Sequence, residues 1–347
     1  MRKILIGLMV VLVISAAIYF RFRHPASPHE VAYAGNREVT LWSTTAQVRE
    51  PVGTVKYGER LDVLGRSGDQ VRVHAAGGSL GWVDEADLLS ADVWQRANDL
   101  DAVAAKAPVE ARGHTHAISN LHVEAGRETP RLRQLSKGVV VDLFERKVVG
   151  APTNLAAPAA AEKNASTGSA SDSGSDPEAR SARKEDWWLV RAHLPDQRTV
   201  AGWILGRFVD LDVPAPLPDY ASAAAMHAVA WFELNHVADP SGRLKPQYLL
   251  VGNRGPEGQP CDFTMMRVFT WSKPRQRYET AYVESDVCGK LPVNLRQSAS
   301  PAGDVMFSFQ DLSSGSPEGR KYRMENTIVR RIKEGGSQPA KRKHARG

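Results

Sequence analysis

Two stretches of this chain repeat one order of short apolar alternations punctuated by glycine. In the first, residues 52–55 lead into Lys56-Tyr57-Gly58-Glu59, then Leu61, Val63 and Gly65. A Gly68-Asp69 turn, Val71-Arg72-Val73, a Gly77-Gly78 turn, Gly81-Trp82-Val83 and Leu88-Leu89 follow. In the second, Leu135-Ser136-Lys137-Gly138 precedes Val141-Asp142-Leu143-Phe144, Asp186-Trp187-Trp188-Leu189-Val190 takes the place of residues 69–73, and Gly202-Trp203-Ile204 that of Gly81-Trp82-Val83. Successive side chains of a strand point to opposite faces, so alternation of period two marks strands buried on one side. With turns roughly every 8 to 12 residues, such strands close into a small antiparallel barrel. The copies differ by an insertion between Arg146 and Asp186, where the first has only Ser67-Gly68.

Most of that insertion, 151–184, is Ala, Ser, Gly, Pro, Asn, Asp and Lys without apolar periodicity, a composition that cannot bury enough surface to order itself. Between the copies, Val93, Trp94, Ala97, Leu100, Val103 and Ala104 recur at helical spacing after the N-cap Ser90, and Pro108 stops the run. Pro214, Pro216 and Pro218 mark the next boundary, beyond which about six apolar and aromatic runs separated by Gly and Pro turns predict an all-β sandwich or open barrel.

Both copies resemble bacterial SH3 (SH3b) domains. The second carries Leu121-His122-Val123-Glu124-Ala125-Gly126 for the family's opening strand, then Asp186-Trp187 and Gly202-Trp203. The first shares the later half but opens on Leu41-Trp42-Ser43 and has Gln70 where the family often has Trp. The resemblance covers about half the chain and implies an SH3-like barrel for each copy. Such barrels are often attached to cell-wall peptidases, so hydrolase chemistry is the first to look for.

The net charge of +6 is unevenly spread. Residues 1–23 carry +4 and residues 320–347 carry +8, which leaves −6 for the body. Tracking a nucleic-acid backbone needs Lys and Arg clustered on a folded face, so no nucleic-acid partner is expected. The uncharged run of residues 4–20 would span roughly 25 Å as a helix, enough for one short membrane crossing, with cleavage as a signal peptide the alternative. Either way the remainder is exported, to the periplasm or outside of a bacterial cell membrane, or is secreted. In an oxidising compartment the two cysteines, Cys261 and Cys288, predict one disulfide.

Catalytic patterns are sparse. A Cys–His pair needs an imidazole to take the thiol proton, and only His344, in the basic tail, follows either cysteine. There is no phosphate loop or dinucleotide fingerprint. His114-x-His116 with His122 is the nearest approach to a metal set and reads as rim histidines; His227 and His236 read as structural. No metal or cofactor is therefore expected. Aromatic residues supply the binding candidates: Trp82, Trp187, Trp188 and Trp203. Trp187 and Trp188 are neighbours on a strand and must face opposite ways, one inward and one towards a peptide or glycan.

The expected fold is mainly β: an N-terminal membrane helix, two SH3-like barrels joined by a short helix, and an all-β C-terminal domain. Residues 1–24 read as signal anchor, 25–36 as tether, 37–90 as first barrel and 91–115 as connecting helix and linker. Residues 116–213 read as second barrel with the insertion, 214–226 as Pro-rich linker, 227–334 as the C-terminal domain and 335–347 as basic tail. The expected role is a non-catalytic binding or scaffold module, not an enzyme, engaging peptidoglycan or an envelope protein. The alternatives are a structural spacer presenting the C-terminal domain and an envelope hydrolase with its site in 226–333.

Overall fold

A computed structural model describes residues 30–151, 183–297 and 303–332. The expected anchor 1–24, nearly all of the insertion 151–184 and the basic tail 335–347 lie outside the described residues. No helix among the described residues is long and apolar enough to cross a membrane. The chain forms two compact units that divide between Arg96 and Ala97.

The first unit is a curled antiparallel sheet of β1 (Val31–Ala34), β2 (Glu38–Trp42), β3 (Pro51–Lys56), β4 (Arg60–Ser67), β5 (Gln70–Ala75), β6 (Leu80–Asp84) and β7 (Leu88–Ser90), in the order β3-β2-β6-β5-β4-β1-β7. Its core is what the alternation selects: Val39 and Leu41, Leu61, Val71 and Val73, and Val83 point inward and are buried. Residues 31–34, expected to be tether, are instead β1, which pairs with both β4 and β7. Such a strand is decided by partners 27 to 58 positions away, which no local pattern reveals.

Helix α1 (Ala91–Ala104) starts in this unit, with Ser90 Oγ accepting from Val93 N at 3.3 Å as an N-cap should. Trp94 stacks on Tyr33 at 4.9 Å and meets Tyr57 edge-on at 5.6 Å. The same ring fills the space beside Gly58, which holds φ +77°.

The second unit repeats this curled, barrel-like sheet with β8 (Ala111–Thr115), β9 (Ser119–His122), β10 (Arg131–Leu135), β11 (Val140–Gly150), β12 (Lys184–His193), β13 (Thr199–Leu205) and β14 (Val209–Leu211). Their order, β10-β9-β13-β12-β11-β8-β14, is that of the first sheet strand for strand. The duplication is therefore structural, and the insertion falls in the β11–β12 hairpin, where the first copy turns in two residues. Residues 111–115, expected to be linker, form β8. The later part of α1 packs on this barrel, with Leu100 and Ala104 against Phe144, Trp187 and Trp203.

The Pro-rich segment 214–226 is more than a linker. It contains α2 (Leu217–Ala223), whose Leu217 and Ala221 are buried against Tyr248, Leu250, Met265 and Phe269. Those residues belong to a seven-stranded antiparallel meander: β15 (His227–Ala238), β16 (Leu244–Asn253), β17 (Phe263–Ser272), β18 (Arg277–Gln297), β19 (Val305–Asp311), β20 (Glu318–Glu325) and β21 (Ile328–Ile332), paired in sequence order. Cys261 and Cys288 form the expected disulfide, joining the loop before β17 to the middle of β18.

Candidate functional site

The four tryptophans do not form one binding face. Trp82 lies half-buried on the outer face of β6, opposite Trp42 of β2. Trp203 is 3% exposed, with Phe144 and the later part of α1 packed against it and Lys147 Nζ 4.5 Å from its ring centre. Trp187 and Trp188 do face opposite ways, but both are buried, against the expectation that one would be open. The reason is that β12 is covered on both sides. Trp187 meets the aromatic and apolar cluster beneath α1, whereas Trp188 faces the space between the second barrel and the C-terminal sheet. The three histidines read as rim residues each have a partner of their own: His114 Nδ1 lies 2.8 Å from Asp212, His116 Nδ1 3.3 Å from Asp210, and His122 Nδ1 2.9 Å from Thr129 O.

Barrel and sheet are fastened together by Arg146 of β11, whose side chain is 1% exposed. Its guanidinium donates to Asp186 Oδ1 (2.6 Å), Gln259 O (3.0 Å), Cys261 O (3.0 Å) and Asp262 Oδ1 (3.2 Å). Asp262 also accepts from Lys290 Nζ and from Leu291 N, each at 3.0 Å. Asp186 accepts from Gly258 N at 2.9 Å. The loop before β17 is thus held by ion pairs on the barrel side and by the disulfide on the sheet side. Nearby, Glu110 is buried, and its Oε2 accepts from Val293 N at 3.3 Å. Burial pushes its carboxyl up to about 7; the Val293 hydrogen bond opposes the rise and the charge of Asp262 adds to it.

Next to this junction is a cleft of about 430 Å³ lined by Trp188, Asp186 and Arg207 from the barrel and by His227, Asn253 and Glu257 from the C-terminal region. Arg207, in the turn after β13, donates to Glu185 at 2.7 Å and to Glu257 at 3.2 Å. Glu185 itself is shared by Arg127 and Arg207: burial alone would raise its carboxyl, but the two guanidinium groups outweigh that and hold it below the usual carboxylate range. His227 opens β15, directly opposite Asn253 of β16. Asn253 donates to Asp262 O at 2.9 Å, which fixes its side chain.

Among the described residues, two buried polar atoms on this cleft have no hydrogen-bond partner: Nε of Arg207, a donor, and Oδ1 of Asn253, an acceptor. Buried polar atoms are almost always paired, so each is a group available to a ligand. Of these residues the sequence singles out Trp188 as a binding candidate, Asp186 as part of the repeated motif, and His227 as structural. Arg146, Arg207, Asn253 and Glu257 carry no motif, since each acquires its role through groups distant in sequence.

No family model matches this chain, and no curated protein matches it. Among solved structures, it is similar to an NlpC/P60 family protein from Bacillus cereus ATCC 10987, at 12% identity over 74% of this chain and 94% of that one, with a TM-score of 0.21. It is also similar to NlpC2 from Trichomonas vaginalis, at 9% identity over 74% of this chain and 96% of that one, with a TM-score of 0.17. The first bears the NlpC/P60 family name and the second the name NlpC2, which stands against the expectation of a non-catalytic binding or scaffold module and of a chain that is not an enzyme. Cys261 and Cys288 are the chain's two cysteines and both are in the disulfide, so a thiolate is not among its groups in that state.

Proposed function

We propose that this chain is an envelope hydrolase that cleaves an amide bond, with its reaction centre in the cleft between the second barrel and the C-terminal sheet. The observation that carries the reading is the pair of unpartnered buried atoms there, a donor on Arg207 and an acceptor on Asn253, in a cavity that also holds an imidazole. A peptide group is their complement, because its carbonyl accepts and its N–H donates. In this reading the substrate carbonyl takes the Arg207 Nε–H, and its N–H rests on Asn253 Oδ1. His227 removes a proton from the attacking water and returns it to the departing nitrogen, so that the C–N bond breaks to give a carboxylate and an amine. Arg207 stabilises the oxyanion formed on the way, and Glu257 holds the guanidinium in place. The disulfide supports an exported location, because such bonds persist in oxidising compartments. The resemblance of both barrels to SH3b domains supports peptidoglycan as the polymer, with residues 1–24 as the anchor that keeps the chain at the membrane.

The test is incubation of the purified chain with peptidoglycan fragments, reading the release of new amino groups. His227→Ala is expected to lower the rate by about 10²-fold or more, the range for loss of a general base. No amine release by the unaltered chain, or full activity in His227→Ala, overturns the reading.

A further inference from the structure

The two adjacent tryptophans of β12 line two different spaces. Trp188 is on the cleft; Trp187 is on a separate cavity of about 330 Å³ in the second barrel, with Asn120, His122, Gln134, Leu205 and Phe208. Trp187 is 2% exposed, and its indole N–H is buried without an acceptor among the described residues. An unmade buried donor is costly, so a protein retains one where something else completes it.

His122 supplies the opposite polarity. Its ring meets Trp187 edge-on at 5.3 Å. Its Nδ1 is 2.9 Å from Thr129 O, and a carbonyl can only accept, so the proton sits on Nδ1 and Nε2 keeps its lone pair. Burial disfavours the imidazolium and keeps this ring neutral. The other charged group at the cavity is Arg127, and it is committed to Glu185 through three hydrogen bonds of 2.9 to 3.2 Å. The cavity therefore offers one neutral donor, one neutral acceptor, an apolar wall from Leu205 and Phe208, and the side-chain amides of Asn120 and Gln134, 3.5 Å apart.

We propose that this cavity is a binding site for a secondary amide, whose carbonyl accepts from Trp187 Nε1 and whose N–H donates to His122 Nε2. An ionised ligand would meet no uncommitted counter-charge there. A secondary amide could come from the N-acetyl group of an amino sugar or from a peptide bond, and one experiment separates the two. The full chain is titrated with N-acetylglucosamine, with N-acetyl-alanine methylamide, and with glucose as the probe that lacks an amide. The readout is the ¹H–¹⁵N resonance of the Trp187 indole.

At least one amide probe is expected to move that resonance, glucose to leave it in place, and the tighter probe to identify the source. His122→Phe, which keeps a ring but loses the acceptor, is expected to weaken binding about tenfold or more. An indole resonance unmoved by both amides, or moved equally by glucose, overturns the proposal. The titration of the unaltered chain decides even if the variant does not fold. Because binding is read without turnover, its failure is distinguishable from failure of the hydrolytic reading.

Discussion

Replacing Arg146 by Met tests whether the second barrel and the C-terminal sheet are held together as argued. The substitution keeps most of the side-chain volume and removes a guanidinium that is 1% exposed and makes four hydrogen bonds. Deleting one partner of a buried ion pair costs about 3–5 kcal/mol, because the other charge stays buried and uncompensated. Here the remaining partners are partly supported: Asp262 keeps Lys290 and Leu291 N, and Asp186 keeps Gly258 N. The lower end, about 3 kcal/mol, is therefore expected. For a unit of this size each kcal/mol shifts the midpoint by roughly 2–4 °C, which gives a fall of about 6–12 °C. Calorimetry of the full chain measures it. Arg112→Ala is the control, since Arg112 also pairs with a buried carboxylate, Asp142, but is itself 67% exposed; a loss within about 1 kcal/mol is expected there. Equal losses in the two variants would refute the reasoning, since burial of the guanidinium is what separates them.

Three further outcomes follow from the packing of single side chains. The Glu110 carboxyl is raised when folded, so the native state holds its proton more tightly than the unfolded chain; that contribution is full below pH 4.5 and disappears as pH rises through about 7. Denaturant titrations across this window should show unfolding free energy falling by roughly 3 kcal/mol more in the unaltered chain than in Glu110→Gln, and parallel profiles would contradict it. Gly58→Ala should destabilise the first barrel by about 2 kcal/mol or more, because a Cβ at φ +77° would lie 2.6 Å from the Trp94 ring, whereas Gly68→Ala, at φ +58° in open space, should cost about 1 kcal/mol; thermal melts compare them. Trp203→Ala should cost about 3–5 kcal/mol and Trp82→Ala about 1 kcal/mol, since the first is 3% exposed and the second half-exposed; similar losses would mean that the faces are misassigned.

The contrast between Trp82 and Trp203 also shows how far the sequence reading reached. Both follow a glycine in equivalent strands, and the repeat predicts both to point to the same side of their barrels. They do, since each lies opposite the equivalent residue of the neighbouring strand, Trp42 or His122. Their exposures nevertheless differ, because Trp203 is packed beneath Phe144 and α1. The same holds for Trp187 and Trp188: alternation separates their faces correctly, yet gives no information on what lies against each.

Period-two alternation, glycine turns and a lone cysteine pair are local signals, and they determined the β class, the duplication, the place of the insertion and the disulfide. Backbone sterics and strand pleating act between neighbours, so a linear reading captures them. The tertiary structure alone decided that residues 31–34 and 111–115 are strands, that 217–223 is a helix packed on the sheet, and that Arg146 binds a loop more than a hundred positions away. It also set the unpaired atoms of Arg207, Asn253 and Trp187 in the walls of two cavities. Whether a buried polar atom finds a partner depends on which distant segment reaches it, and that depends on the packing of the whole chain.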